Sequence, residues 1–357
     1  MTGPPRSGLA ALAGGEQSPG LFASRSASWG ATPTDRRSRI RGVRSAMRRR
    51  GGASLRRAVA LLSVAVACGA MAQSAPLTVC IAHDNEPLSY VRDGKPRGLD
   101  VRIAQAIAAE LGRELRIVPF ETEYERESTL AREVNALLSS SVCELASGFP
   151  LLREDFAAPT GVAKTPDYPG AKRRRERPFV TLQQLSPSKP YQGMALVVVL
   201  RRDATRKVQR LSDLKGLRIG NVAGTLSSAL LLMYRNGTLK GDLVSIPQRG
   251  ESVFELMQAN KLDAGLVAAG LYDAWKLDHA DSAIALTEYR RPLGINLGFV
   301  AAPAGADALR AASRVIERAL EQGDLAKWAA DEGVSWLRPT APDVSRAPAL
   351  HELAADP

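Results

Sequence analysis

The amino-acid sequence predicts an α/β fold made of two successive segments of mostly parallel β-structure. Short apolar runs without polar alternation are typical of strands that are buried on both faces. Segments with apolar residues at helical spacing separate these runs. The chain has 357 residues, which allows about two domains. Its 45% hydrophobic and 24% charged residues are ordinary for a globular protein.

The first segment alternates strands with helices in the order βαβαβ. The apolar run LTVCIA opens it, and Gly112 ends its first helix. Its predicted elements are strands at 77–82, 115–120 and 145–147 and helices at 101–111 and 128–138.

The second segment repeats this alternation of strands and helices after an irregular stretch of the chain. Residues 159–193 contain six prolines and the basic run KRRRER, which predicts a long loop or insertion. Loops of this length tend to be functional or mobile, although a solvated surface loop is the simpler interpretation. After Arg338 we expect an irregular tail. The predicted elements in between are strands at 194–200, 217–222, 243–246, 263–267 and 294–302 and helices at 226–236, 252–259, 308–322 and 324–332.

The positive net charge of +11 belongs almost entirely to the first 76 residues. They contain 12 arginines and two acidic residues, whereas the rest of the chain has 36 basic and 35 acidic residues. A nucleic-acid-binding protein needs its cations on the domain that contacts phosphate. The distribution therefore argues against nucleic acid as a partner.

A secretory signal peptide is predicted at 47–75. Arginines follow Met47, an apolar run extends from Ala58 to Ala67, and Ala70-Met71-Ala72 forms a cleavage box. The run is shorter than the roughly 20 residues of a membrane-spanning helix. Residues 1–46 are then a disordered extension or the result of a mis-assigned start. The expected location is the periplasm, with lipid anchoring through Cys68 as an alternative.

Two cysteines remain in the exported part, Cys80 and Cys143. Export would place them in an oxidising compartment, and two is the number needed for one disulfide. Two separately buried thiols are the alternative.

Five motifs follow one another along the chain. They are the stretch from LTVCIAHDNEPLSY to the Gly98-Leu99-Asp100 turn, LKGLRIG followed by AGT, KLDA, the strand GINLGFVAA, and QGDLAKW near the end. In this order they resemble the family 3 bacterial extracellular solute-binding proteins, the periplasmic receptors of ABC transporters. The resemblance implies a two-lobed periplasmic-binding-protein-like clamp with a two-stranded hinge. Lobe 1 would comprise 77–193 and 294–337, and lobe 2 would comprise 194–293, followed by the tail at 338–357.

The resemblance also implies a cleft that binds a small molecule for an ABC permease. Arg153, after the third strand, would clamp a carboxylate, with Arg177 as a competitor. Gly224 and Thr225 lie at a strand-to-helix turn, where Thr225 either contacts the ligand or only caps the helix.

Two departures from the family pattern make a standard α-amino acid a poor ligand. The stretch 267–270 lacks the carboxylate that would receive an ammonium group, and Asn85 is near the place of the usual aromatic residue. Asp84, Asn85, Glu86 and Tyr90 would instead build a different polar site. We therefore expect a small polar or anionic ligand.

A subset of this family is found beside quinoprotein alcohol dehydrogenases, and its cysteine pattern and Gly-x-Pro motif resemble Cys80, Cys143 and Gly148-Phe149-Pro150. The alternative function is thus an accessory partner of a periplasmic quinoprotein dehydrogenase or cytochrome c, with a degenerate ligand site.

Catalysis is not expected. The three histidines His83, His279 and His351 form neither a metal-spaced pair nor a visible Ser-His-Asp arrangement. We expect no enzyme activity, no cofactor, no metal site and a monomeric state.

Overall fold

A computed structural model describes residues 75–122, 129–203, 206–247 and 250–354. The predicted extension at 1–46 and the signal peptide at 47–75, apart from Ala75, lie outside these residues. The same holds for Cys68 and for the cleavage box.

The described residues form alternating strands and helices. The strands are β1 (Leu77–Ala82), β2 (Asp84–Asn85), β3 (Ser89–Arg92), β4 (Lys95–Arg97), β5 (Leu115–Phe120), β6 (Leu145–Pro150), β7 (Val162–Ala163), β8 (Val180–Thr181), β9 (Ser186–Pro187), β10 (Gln192–Arg201), β11 (Ile219–Val222), β12 (Leu243–Ile246), β13 (Ala264–Ala268) and β14 (Ile284–Ala301). The α-helices are α1 (Leu99–Leu111), α2 (Leu130–Ser139), α3 (Leu226–Met233), α4 (Val253–Gln258), α5 (Ala269–Asp278), α6 (Ala306–Gln322), α7 (Asp324–Asp331) and α8 (Leu350–Ala354).

The main sheet consists of two parallel halves that share two central antiparallel strands. Its order is β12-β11-β13-β10-β14-β6-β1-β5, and β9 pairs with β14. In one half β1 is parallel to β5 and β6, and in the other β11 is parallel to β12 and β13. This confirms the predicted α/β class with mostly parallel sheets.

Two strands, β10 and β14, join the halves. Their pairing is irregular where the halves meet, because Gly193 is opposite Asn296 but Ala195 is opposite Pro292. Gly294 lies in this irregular stretch with φ +66°, a backbone conformation that glycine adopts readily. The two strands thus pass from one half of the sheet to the other near these residues.

Each half packs helices on both of its faces. In the half that contains β1, helices α1, α6 and α7 cover one face, and α2 covers the other with part of the insertion. In the half that contains β11, helices α3 and α8 cover one face, and α4 and α5 cover the other. Parallel strands need both faces covered, which explains their continuous apolar runs.

Several segments differ from the sequence-based predictions, and β14, for example, begins at Ile284 and not at the predicted position 294. The stretch after β1, where no strand is predicted, forms the small antiparallel sheet of β2, β3 and β4. Helix α5 was not predicted, because it begins at Ala269 without a side-chain cap. The tail, predicted as irregular, contains α8, whose Leu353 is buried against the α3 face of the sheet.

The tail is tied to both halves of the sheet. In its first part, the buried side chain of Asn296 donates to the carbonyl oxygen of Thr340 (2.8 Å) and accepts from the Thr340 amide (3.2 Å). Further along, the guanidinium of Arg291 donates to the carbonyl oxygen of Glu352 in α8 (2.8 Å). The chain end therefore spans the region where β10 and β14 cross.

Candidate functional site

The parallel strands β1, β5 and β6 end at one edge of the sheet, and the segments that follow them carry most of the predicted site residues. In open α/β sheets such an edge is where ligands bind. The loop after β1 contributes Asn85, Glu86 and Tyr90, and the segment after β6 contributes Arg153.

The small sheet after β1 fixes the positions of the first group. Asp84 is paired with Tyr90, and Asn85 is paired with Ser89. The Tyr90 ring is buried, and the guanidinium carbon of Arg92 lies 5.3 Å from the ring centroid. Asn85 and Glu86 keep partial exposure. Burial raises the pKa of Asp84, although the nearby His83 opposes this shift. Asn85 and Glu86 are therefore accessible, whereas Tyr90 is packed within the protein.

A buried polar cluster around Asp100 joins this loop to the end of β6. Ser147 donates its hydroxyl to Oδ2 of Asp100 (2.7 Å), and Tyr191 donates its phenol to Oδ1 (2.6 Å). The phenol oxygen of Tyr191 in turn accepts from the amide of Gly148 (3.1 Å). Burial raises the pKa of Asp100 to about 7, against the lowering effect of the two hydroxyl donors. Desolvation and the neighbouring Asp100 also raise the pKa of Tyr191.

Gly148 brings the predicted Asn85 to this cluster. Its φ of +66° favours glycine, and a Cβ at this position would lie 3.1 Å from Oδ2 of Asp100 and 3.6 Å from Nδ2 of Asn85. A larger residue would thus press on the carboxylate of Asp100, whereas the amide of Asn85 would lie at ordinary contact distance. Asn85 therefore lies at the end of β6, beside a polar cluster that the sequence did not reveal as a unit.

The two candidate arginines have different surroundings. Arg153 begins a short 3₁₀ helix after β6, and its amide donates to the carbonyl oxygen of Ser345 (2.7 Å). Its side chain is exposed and has no hydrogen bond or ion pair to any residue in the described ranges. Its guanidinium is therefore accessible to a ligand.

Arg177, by contrast, is buried and engaged by its own loop. It donates to the carbonyl oxygens of Lys172 (2.5 Å) and Thr165 (2.9 Å) and to the carboxylate of Asp167 (2.7 Å). These contacts give it a structural role in the insertion.

In the second half of the sheet, Gly224 and Thr225 form the turn between β11 and α3. Gly224 has φ +78°, and open space surrounds the position of a Cβ. Thr225 caps α3, because its hydroxyl accepts from the amide of Ser228 (3.1 Å) and donates to the carbonyl oxygen of Val222 (2.8 Å). Of the two roles left open for Thr225, the cap is present, while ligand contact stays a prediction.

One further polar group near this turn is not visible as a site residue in the sequence. The amide oxygen of Asn221, at the end of β11, is buried and has no hydrogen-bond partner among the described residues. A buried carbonyl without a donor is costly, so such a group is a natural acceptor for a ligand hydroxyl or amide.

The second half lacks an acidic side chain directly after β13, as the sequence indicates. Helix α5 begins at Ala269, and Asp273 is the first carboxylate in it. Asp273 is buried and accepts from the amide (2.7 Å) and the hydroxyl (2.6 Å) of Ser335, so its carboxylate is engaged away from β13. Burial raises its pKa.

The predicted disulfide is present. Cys80 in β1 is bonded to Cys143, which precedes β6, and their Cα atoms are 5.7 Å apart. The bond fixes two of the strands whose ends carry the candidate site. It confirms the disulfide and removes the alternative of two free thiols.

Among the residues that the structure describes, no group of three or more His, Cys, Asp or Glu side chains is arranged to hold a metal ion. In the same residues, no helix combines the length and the apolar character needed to cross a bilayer.

Comparison with known proteins supports the resemblance seen in the sequence. Residues 77–143 match the family model of the bacterial extracellular solute-binding proteins, family 3. No match is found among curated proteins.

Two solved structures share the two-lobed fold. The unliganded, open L-cystine solute receptor of Neisseria gonorrhoeae aligns with a TM-score of 0.51 and 17% identity, over 73% of this chain and 94% of the receptor. The second substrate-binding domain of a putative amino-acid ABC transporter from Streptococcus pneumoniae Canada MDR_19A aligns with a TM-score of 0.53 and 12% identity, over 72% of this chain and all of that domain. At these identities the likeness concerns the fold alone.

Proposed function

We propose that this chain, whose residues 77–143 match the family 3 solute-binding proteins, is an exported receptor that binds a small polar or anionic molecule between its two lobes. It would deliver this molecule to an ABC permease and carry out no chemistry on it. The site we propose consists of Asn85, Glu86, Tyr90 and Arg153 on one lobe and Gly224 and Thr225 on the other.

The observation that carries this proposal is the accessible guanidinium of Arg153 at the carboxyl edge of the sheet. An exposed arginine without a protein partner offers a fork of N–H donors that fits a carboxylate. The partly exposed amide of Asn85 lies at the end of β6, the strand that Arg153 follows. Together they supply donors for an anion and for a neutral polar group.

The missing counter-charge supports a ligand other than a standard amino acid. An ammonium group that loses its water without meeting a carboxylate is strongly disfavoured. On the second lobe the turn after β13 has no acidic residue, and Asp273 is already bonded to Ser335. The neutral oxygen of Asn221 would instead accept a hydroxyl or amide hydrogen. Hydroxy acids and other small oxygen-rich anions therefore fit the site best.

A thermal-shift screen of the mature protein against small acids, hydroxy acids, polyols and amino acids tests the proposal. Ligand at about 100 times its Kd adds about 2.7 kcal/mol to the stability of the folded state, which raises the Tm by several degrees. Arg153→Ala should abolish the shift. Arg116→Ala, which removes an exposed arginine near the start of β5, should keep it. If Arg153→Ala showed a thermal shift as large as that of the wild type, Arg153 would not be part of the ligand site.

A second candidate function is the accessory partner of a periplasmic quinoprotein dehydrogenase or cytochrome c. The observation that favours it is the bond between Cys80 and Cys143, whose positions are similar to the cysteine pattern of that subset. Binding of a purified c-type cytochrome or quinoprotein dehydrogenase from the same cells, measured by surface plasmon resonance, would support it. Absence of binding, together with a ligand from the thermal screen, would refute it.

A further inference from the structure

The insertion lines an open cavity of about 550 Å³ at the carboxyl end of β5. Four of its lining side chains are cationic and two are anionic: Lys172, Arg173, Arg174, Arg177, Glu121 and Asp167. The excess of positive charge is notable because the exported part of the chain is close to neutral overall.

The charged side chains that line the cavity differ in their ion pairing. Arg177 is buried and paired with Asp167 (2.7 Å), which makes this pair nearly neutral. Arg174 lies opposite the buried carboxylate of Glu133, at 4.0 Å. Among the described residues, this pairing leaves Lys172 and Arg173 as the cations of the cavity without a counter-charge.

Lys172 and Arg173 are held at the cavity by the fold of their loop. The guanidinium of Arg177 bonds the carbonyl oxygen of Lys172 on one side and that of Thr165 on the other. The side chains of Lys172 and Arg173 are themselves exposed and form no hydrogen bond or ion pair within the described ranges. The loop thus fixes the backbone of Lys172 at the cavity and leaves both cationic side chains accessible to an anion.

The cavity adjoins the loop that carries the proposed ligand residues. The amide of Glu121, which follows β5, donates to the carbonyl oxygen of Asp167 (2.9 Å) and so ties the insertion to the sheet edge. The carboxylate of Glu121 also lies 4.0 Å from the ring of His83, which precedes Asn85 by two residues. The insertion therefore lies beside the carboxyl edge of the sheet in the first lobe and extends this edge beyond β5.

We propose that this cavity is an anion subsite, in which Lys172 and Arg173 bind a carboxylate or phosphate group of a small molecule. Charge-assisted hydrogen bonds from two neighbouring cations are strong, and the surrounding positive potential would draw anions toward the cleft. The cargo would then be a molecule with more than one acidic group. Only this last step rests on the proposed function, because anion binding in the cavity is independent of Arg153.

Titration calorimetry with citrate and with inorganic phosphate at low ionic strength tests the proposal. The key variant is Lys172→Ala with Arg173→Ala. The matched control is Lys215→Ala with Lys240→Ala, which removes the same charge from exposed positions on the other half of the sheet. We expect citrate to bind the wild type and the control equally, and the key variant about tenfold more weakly or less. Added salt should weaken the binding.

Two results would overturn the subsite. One is an equal citrate affinity for the key variant and the wild type, and the other is no binding of citrate or phosphate to the wild type. Arg153→Ala separates this proposal from the function proposed above. If citrate binding depends on Arg153 and not on Lys172 and Arg173, the anion binds in the cleft and the subsite is wrong. If no compound of the thermal screen binds in the cleft, citrate binding that needs Lys172 and Arg173 would still support the subsite.

Discussion

The phenol of Tyr191 donates a 2.6 Å hydrogen bond to the carboxylate of Asp100, 91 residues earlier in the chain. Both side chains are buried, and the bond links the start of α1 to the residue that precedes β10. The contact therefore joins the candidate site of the first lobe to one of the two strands that cross to the second lobe.

Removal of the Tyr191 hydroxyl should destabilise the protein. Tyr191→Phe keeps the ring, which packs against Phe299, but leaves one oxygen of Asp100 with one donor fewer in a buried position. Loss of such a bond costs about 1–3 kcal/mol in the free energy of unfolding, measured by urea denaturation. In the background of Asp100→Asn, which removes the carboxylate charge, Tyr191→Phe should lower the free energy of unfolding by less than it does in the wild type. Equal effects in both backgrounds would show that the two residues are not coupled.

Stability should fall as the pH rises from about 4 to 7. The pKa of Asp100 is about 7 in the folded protein, against an ordinary value of 3.8, so the folded state binds this proton more tightly. The stabilisation is complete below pH 3.8 and is lost as the pH rises through 7. At about 1.36 kcal/mol per pKa unit, the stabilisation that Asp100 contributes is at most about 4 kcal/mol. Asp100→Asn should flatten this part of the stability curve measured by urea denaturation, and an unchanged curve would contradict the assignment.

Several features of the fold could be predicted from the sequence because they rest on local patterns. The apolar run of β1 and the helical spacing of α1 are examples, because a strand that is buried on both faces is continuously apolar and a helix that is buried on one face has apolar residues at a period of about 3.6. The disulfide followed from two cysteines in a segment that is predicted to be exported. Asn85 was named as a site residue, and it lies beside Gly148 of β6, while its contact with a ligand stays a prediction.

Other features could not be predicted, because they depend on distant contacts. The bond between Asp100 and Tyr191 has no local signal, although Asp100 belongs to a motif that the sequence singled out. Strands β2 to β4 are too short to show a period. Arg153 and Arg177 are both arginines near prolines, and only their surroundings distinguish an exposed guanidinium from a buried one.

Loss of the disulfide should lower the stability considerably. The bond closes a loop with a sequence separation of 63 residues, which corresponds to about 4 kcal/mol when the loss of chain entropy in the unfolded state dominates. The double variant Cys80→Ala with Cys143→Ala should unfold at a lower urea concentration than the oxidised wild type. A reductant should destabilise the wild type and leave the double variant unchanged. Equal stability of oxidised and reduced wild type would contradict this account.

Asn296→Ala should release the chain end from the sheet. This side chain is 1% exposed and bonds both the amide and the carbonyl oxygen of Thr340. Its removal leaves these backbone groups without partners, at a cost of about 1–3 kcal/mol. Limited proteolysis should then cut within 339–349 sooner than in the wild type. A control is Thr340→Ala, which keeps both backbone groups and should be cut at the wild-type rate, and unaltered cutting in Asn296→Ala would refute the role of Asn296.

The most direct test of the account is the distance between the lobes when ligand binds. Spin labels at Gln105→Cys in α1 and Lys240→Cys, both exposed, report this distance by double electron–electron resonance. With the compound that gives the largest thermal shift, we expect the distance to shorten in the otherwise wild-type protein and to stay unchanged in Arg153→Ala. An unchanged distance in the otherwise wild-type protein at saturating ligand would contradict a receptor that closes on its cargo.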